Sequence, residues 1–159
     1  MDWTLFGLVP MIFGGGATAD TPRGLLDQIY QPLAAGQQEN IEEHFSPHLQ
    51  ALVVSNLKAN AVDSAGTRID PAAPDFGSFN PFINGESGTP QNLAVSEPVI
   101  QGETAVALVS FTNADKPTVL TISMVRDEGM WKIEDVASVG AGEKWLYSWL
   151  LQYDPFGQQ

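Results

Sequence analysis

The sequence predicts an α+β domain, with helices in its first third and an antiparallel meander in its second half. Three observations carry this. Residues 103–111, 119–126 and 131–137 are three runs rich in β-branched and aromatic side chains. Turn-forming residues flank them at Gln101-Gly102, Asn113-Ala114-Asp115-Lys116-Pro117 and Asp127-Glu128-Gly129. Ahead of the meander, apolar residues between Leu25 and Leu57 recur at the spacing of one helical face.

Thr21 is suited to cap a first helix, with Pro22 at its first position. Leu25, Leu26, Ile29, Tyr30 and Leu33 then share a face, and Gly36 ends the helix. A shorter helical stretch at 39–45 places Ile41 and Phe45 four apart. Ser46-Pro47 is a second cap-and-start pair, and the helix beyond it is expected to bury Leu49, Leu52, Val53, Asn56 and Leu57. Residues 63–90 are dominated by Gly, Pro, Asp, Asn and Ser and lose apolar periodicity, so they read as one long loop. Phe76, Phe79 and Phe82 are expected to pin that loop onto the domain, with Asn84-Gly85 as a tight turn.

Alternation assigns strand faces. Leu120, Ile122 and Met124 oppose Val119, Thr121, Ser123 and Val125, while Trp131, Ile133 and Asp135 oppose Lys132, Glu134 and Val136. After Gly140-Ala141-Gly142, residues 143–153 read as a C-terminal helix, with Trp145, Leu146, Trp149, Leu150 and Tyr153 forming a broad apolar face.

The 159 residues suit one domain, placed at 20–159. A net charge of −12 opposes docking on phosphate backbones or anionic lipid; it would attract a basic protein partner, but its simpler role is to keep the domain soluble. The chain has no cysteine, which excludes disulfides, thiolate catalysis and Cys-based metal sites. Residues 1–19 carry an apolar run from Leu5 to Phe13 and small residues at Ala17 and Ala19, the pattern of a secretory signal. Met1-Asp2-Trp3 lacks the basic start of such a signal, so the stretch reads either as a leader or as a retained segment that seeks a partner surface or lipid. The expected location is accordingly periplasmic or secreted.

Early helices, a loop reading Phe79-Asn80-Pro81-Phe82-Ile83-Asn84-Gly85 and a meander ending Trp131-Lys132-Ile133-Glu134-Asp135-Val136 together resemble a bacterial family of small exported domains of unknown function. That family is similar to the cone-shaped superfamily of nuclear transport factor two, ketosteroid isomerases and polyketide cyclases. Asn80 stands where the family commonly has an aspartate. The resemblance covers about Thr21 to Leu151. It implies a curved antiparallel sheet wrapped by three N-terminal helices and a C-terminal helix, enclosing a cavity. The superfamily hosts enzymes, binders and scaffolds alike, so it implies no single activity.

Within such a cavity the ligand-facing residues would be Tyr30, Phe82, Asn84, Trp131 and Asp135. Asp75, in the aromatic loop, is a candidate general base, with Tyr30 as the hydroxyl partner of an isomerase or cyclase. The competing reading makes Asp75 a turn residue and Asp135 a backbone-bonding group near the sheet end. His44 and His48 lie four apart, but Ser46-Pro47 breaks the helical register a metal pair needs, and no metal site is assigned. No cofactor motif is present. Trp145, Trp149, Tyr153 and Phe156 supply aromatic anchors for a protein partner or for a homo-oligomer of this chain. Two functions follow. One is a non-catalytic exported accessory domain binding a protein or a small apolar ligand; the alternative is a cofactor-independent isomerase or cyclase.

Overall fold

A computed structural model describes residues 8–10, 18–37, 40–70, 74, 79–140, 142 and 144–153. The strands are β1 (Leu8–Pro10), β2 (Gln91–Ser96), β3 (Val99–Gln101), β4 (Thr104–Asn113), β5 (Lys116–Asp127), β6 (Met130–Ser138) and β7 (Trp145–Leu146). They form one antiparallel sheet in the order β1-β2-β4-β5-β6-β7, with β3 lying beside β4 where β2 has ended. The helical elements described are α1 (Pro22–Ala34), a 3-10 turn at Ile41–His44, α2 (Pro47–Ala59) and the single turn α3 (Tyr147–Leu150). The architecture is α+β, as the hydropathy pattern predicts.

Turn chemistry fixes the meander. Asn113 pairs with Lys116 across Ala114-Asp115, and Asp127 with Met130 across Glu128-Gly129. All four loop residues have positive φ. Two consecutive left-handed residues make the mirror-image turn whose twist matches that of its strands. The predicted breaks are therefore the observed hairpins.

One face of the sheet is buried. Ala105, Ala107, Val109 and Phe111 of β4 and Leu120, Ile122 and Met124 of β5 share the core with Leu25, Leu26, Ile29, Tyr30 and Leu33 of α1. Each Val, Leu, Ile, Met or Phe side chain among them contributes about 1.5–3 kcal/mol by leaving water. On the opposite face Val106 and Leu108 stay exposed, as one-sided coverage requires. The two helix starts form as their residues predict. The Thr21 hydroxyl accepts from Gly24 N at 2.9 Å, and the Ser46 hydroxyl from Leu49 N at 3.1 Å.

Four expectations are corrected. Residues 39–45 make only a 3-10 turn, because Ser46-Pro47 starts a new helix before a longer one can propagate. Leu57 is exposed rather than buried, since α2 turns Leu49, Val53 and Asn56 inward. Strict alternation fails in β6. Met124 pairs with Ile133 but Ser123 with Asp135, leaving Glu134 as the extra residue of a bulge. Trp131, Ile133 and Val136 consequently face the core, and Asp135 leaves the face it was assigned. Finally, the C-terminal stretch is not one helix. Trp145 and Leu146 pair with Ser138 and Ala137, and only Tyr147–Leu150 turn helically. The open edge of β6 offers backbone partners there, and pairing satisfies them.

Two parts of residues 1–19 belong to this framework. Leu8–Pro10 pair with Ser96, Val95 and Ala94 at the edge of β2. The Ala19 carbonyl accepts from Trp131 N at 2.7 Å, extending the cover of the β6 edge. The Thr18 carbonyl lies so close over Gly24 that a Cβ there would sit 1.7 Å from it. A glycine is the residue this approach admits.

Candidate functional site

The described part of the aromatic loop, residues 79–85, inserts into the domain; Phe76 lies outside the described residues. Phe82 and Ile83 are completely buried. Asn80 shapes the insertion: its side-chain oxygen accepts from Phe82 N at 2.9 Å, and its backbone N–H donates to Gly85 O at 2.8 Å. Asn84 adopts the left-handed conformation at φ 53° that this turn requires. Asn113 clamps the far side, donating to the carbonyls of Ile83 and Ser87 at 3.0 and 3.2 Å.

Tyr30 meets this plug directly. Its hydroxyl donates to the Phe82 carbonyl at 2.9 Å, and its ring meets Phe82 edge-on at 6.0 Å. Burial pushes the Tyr30 phenol above its ordinary value of 10.0, so it is neutral. A neutral donor bonded to a backbone carbonyl is suited to holding the loop. Asn84 accepts from the Trp145 indole at 3.0 Å, and Phe79 stacks edge-on against Trp145 at 5.2 Å. Tyr30 thus bonds Phe82, while Asn84 bonds Trp145, a residue the sequence assigned to a partner surface instead of the pocket. Asp75 and Phe156 lie outside the described residues.

Asp135 has another task. Its carboxylate accepts from Ser148 N and Val136 N, each at 2.9 Å, and from the Ser148 hydroxyl. The turn α3 has no side-chain cap of its own at Leu146. Asp135, displaced by the bulge, caps it from the neighbouring strand. Downstream, the Asn56 amide donates to the Leu151 carbonyl at 3.1 Å, tying the same turn to α2. Between these two anchors Tyr147, Leu150 and Leu151 point inward. Trp149 and Tyr153 point outward, 53% and 49% exposed, with ring centroids 4.4 Å apart.

A second cluster has the residue types of a hydrolase without its geometry. Ser46 and His48 both bond Glu134 Oε1, at 2.8 and 3.1 Å. A nucleophilic serine must instead give its proton to a histidine. Here the hydroxyl is committed to Glu134 and to capping α2, which makes the cluster a helix-start device. His44 ends the 3-10 turn and His48 opens α2, so the two share no helix. Among the described residues no group of three metal-capable side chains forms.

One half-open cavity of about 270 Å³ lies beside the 3-10 turn, lined by Asn40, Glu42, Glu43, Gln50, Val53 and Val54. Sequence reasoning did not find it. Nor did it find Ser148 or Asn113, or the bond that the expectedly buried Asn56 makes to Leu151, because these partners are distant in sequence.

No protein-family model and no curated protein matches the sequence. Among solved structures, the chain is similar to a chain from the crystal structure of the type VI native effector–immunity complex Tae3–Tai3 from Ralstonia pickettii. The identity is 15%, the likeness covers 78% of this chain and 99% of that one, and the TM-score is 0.49. A likeness this remote says nothing about activity.

Proposed function

We propose that this chain is a non-catalytic protein-binding domain that docks through Trp149 and Tyr153. One observation carries the reading: two large aromatics stand half exposed on a turn held by Asp135 at one end and Asn56 at the other. Tryptophan and tyrosine are the residues most enriched among energetically dominant interface positions. A turn already fixed in the free protein loses little further freedom on binding. The small-ligand form of the idea is less well supported, because Phe82 and Ile83 occupy the core space beneath α1. The enzymatic alternative would need Tyr30 free, whereas its hydroxyl serves the Phe82 carbonyl.

The same proposal includes a divergent place in the cone superfamily, supported by the helices packed on one face of an antiparallel meander and by the Trp131–Val136 string in β6. It also includes export, supported by the composition of residues 1–19. Removing those residues takes β1 from β2 and the Ala19 carbonyl from Trp131. Intact mass of the protein from its native cells reads whether that happens.

The test is photocrosslinking. A benzoylphenylalanine at position 149 in the native cell should trap one dominant partner. That partner, purified, should bind the wild-type chain and lose about 30-fold in affinity for Trp149→Ala, with thermal stability unchanged. Equal affinity for both chains would overturn the proposal.

A further inference from the structure

We propose that the sheet face turned away from the helices is where two copies of this chain pair, face to face about a two-fold axis. Pairing there does not depend on the Trp149–Tyr153 anchor.

The strand register lays this face out. On β4 and β5 the outward side chains include Val106, Leu108, Ser110, Thr121, Ser123 and Val125, and the residues alternating with them are buried. Leu108 lies opposite Thr121, Thr121 opposite Ala137 and Ala137 opposite Leu146, so one unbroken row crosses four strands. A second row begins at Val99, beside Val106, and continues to Ser123. Along these two rows Val99, Val106, Leu108 and Leu146 are 37–66% exposed. Single apolar residues scattered over a surface need no cause, but a continuous apolar tract marks a place of contact.

The centre of the face also lacks charge. The chain carries 19 acidic and 7 basic residues, yet none of the six outward side chains of β4 and β5 named above is charged. β5 contributes Asp127 only at its last residue. Lys132 and Asp135, which β6 adds, are engaged at the sheet edge. Lys132 donates to the Glu43 carbonyl at 3.2 Å, and the Asp135 carboxylate accepts from Ser148 N at 2.9 Å.

Charge and size name the occupant. A net charge of −12 makes copies repel one another, and the repulsion is least where the apposed surfaces are uncharged. The same charge opposes an anionic lipid surface, and a basic partner would meet no carboxylate at the centre of this face. A second copy presents the same β-branched surface, and such sheets pack about 10 Å apart with their side chains interleaved. Identical patches meet across a two-fold axis with no other complement required. The ten residues of β4 span about 34 Å and four strands about 19 Å, a footprint on the order of 650 Å² per copy and roughly 1,300 Å² for the pair. Stable interfaces begin at about 1,200 Å² in total.

Sedimentation equilibrium of the full chain is the test. The mass should rise from one chain to two between about 1 and about 300 μM. Raising salt from about 20 to about 200 mM should strengthen the dimer, because it screens the like charges of the two copies. Leu108→Lys combined with Thr121→Lys puts charge at the centre of the face and should weaken the dimer about tenfold or more. Neither position is buried, so the melting temperature of the monomer should stay within about 2 °C. A second readout leaves those positions intact. The chain has no cysteine, so Thr104→Cys, at the outward start of β4, takes a single spin label. Mixed with isotope-labelled wild-type chain, the spin-labelled copies should broaden the amides of Leu108, Thr121 and Ser123 and leave those of Gln50, Val54 and Tyr153 sharp. Trp149→Ala should leave the dimer unchanged, and the double-lysine variant should still be trapped through position 149, so either idea can fail alone. A purified chain that stays monomeric, as it would if another protein or a lipid covered this face, overturns the proposal. So does a dimer that weakens with salt, survives the double-lysine change, or broadens amides around α2 or Trp149 instead.

Discussion

Replacing Tyr30 with phenylalanine tests whether that residue holds structure or serves chemistry. The substitution keeps the ring, its edge-on contact with Phe82 and its complete burial. It removes one donor, the hydroxyl 2.9 Å from the Phe82 carbonyl. That carbonyl belongs to a residue with no solvent exposure, so water cannot replace the lost partner. An unsatisfied buried acceptor costs about 1–3 kcal/mol, of which the middle of the range is expected here. For a domain of this size each kcal/mol moves the melting temperature by roughly 2–4 °C, so the variant should melt about 4–8 °C lower. Thermal melts by far-ultraviolet circular dichroism read the shift. Urea titration should show a lower midpoint with an unchanged slope, because the surface exposed on unfolding is the same. Phe82→Ala, which empties the plug instead of loosening it, should cost more, about 3–5 kcal/mol. The reasoning fails if Tyr30→Phe is as stable as wild type or more so, the behaviour of a polar group kept for function against stability.

Tyr30 and Tyr147 both have phenols raised by burial, so their contribution to stability should be constant below pH 10 and fall above it. There the unfolded chain loses phenolic protons that the folded chain keeps, at up to about 1.4 kcal/mol per pH unit for each tyrosine. Urea midpoints from about pH 8 to about pH 11 check this, and Tyr30→Phe should halve the slope. Asp135→Ala should destabilise by about 1–2 kcal/mol and diminish the near-ultraviolet circular dichroism of the stacked Trp149–Tyr153 pair, because α3 loses its cap. Ala114→Asn should raise stability by about 1 kcal/mol in the same urea assay. Ala114 sits exposed at φ 52°, a conformation asparagine tolerates better than alanine.

How far the fold could be read depended on the range of the interactions. The helix starts at Thr21-Pro22 and Ser46-Pro47 and the hairpin turns at Ala114-Asp115 and Glu128-Gly129 are encoded within a few residues, and each forms where its chemistry requires. The errors occur where a distant strand edge outvotes local preference. Trp145 and Leu146 have helical periodicity, yet Ser138 and Ala137 offer them a ladder, and backbone satisfaction decides. Asp135 was placed by counting alternate residues, and one extra residue at Glu134 reverses that count.

This bulge also explains why the candidate site could not be foreseen as a unit. Its members come from β6, α2 and the C-terminal turn, and each looks ordinary alone: an aspartate in a strand, an asparagine in a helix, two aromatics near a chain end. Were strict alternation kept through Glu134, Asp135 would enter an apolar core and lose solvation it could not regain. With the bulge, the same carboxylate takes Ser148 N and the Ser148 hydroxyl, and the following turn presents Trp149 and Tyr153 outward. A single insertion in strand register therefore links the sheet to the proposed docking surface. Deleting Glu134 should therefore leave Asp135 opposite Ser123 and Val136 opposite Ile122, sparing the core and costing chiefly the bonds that Ser46 and His48 make to Glu134.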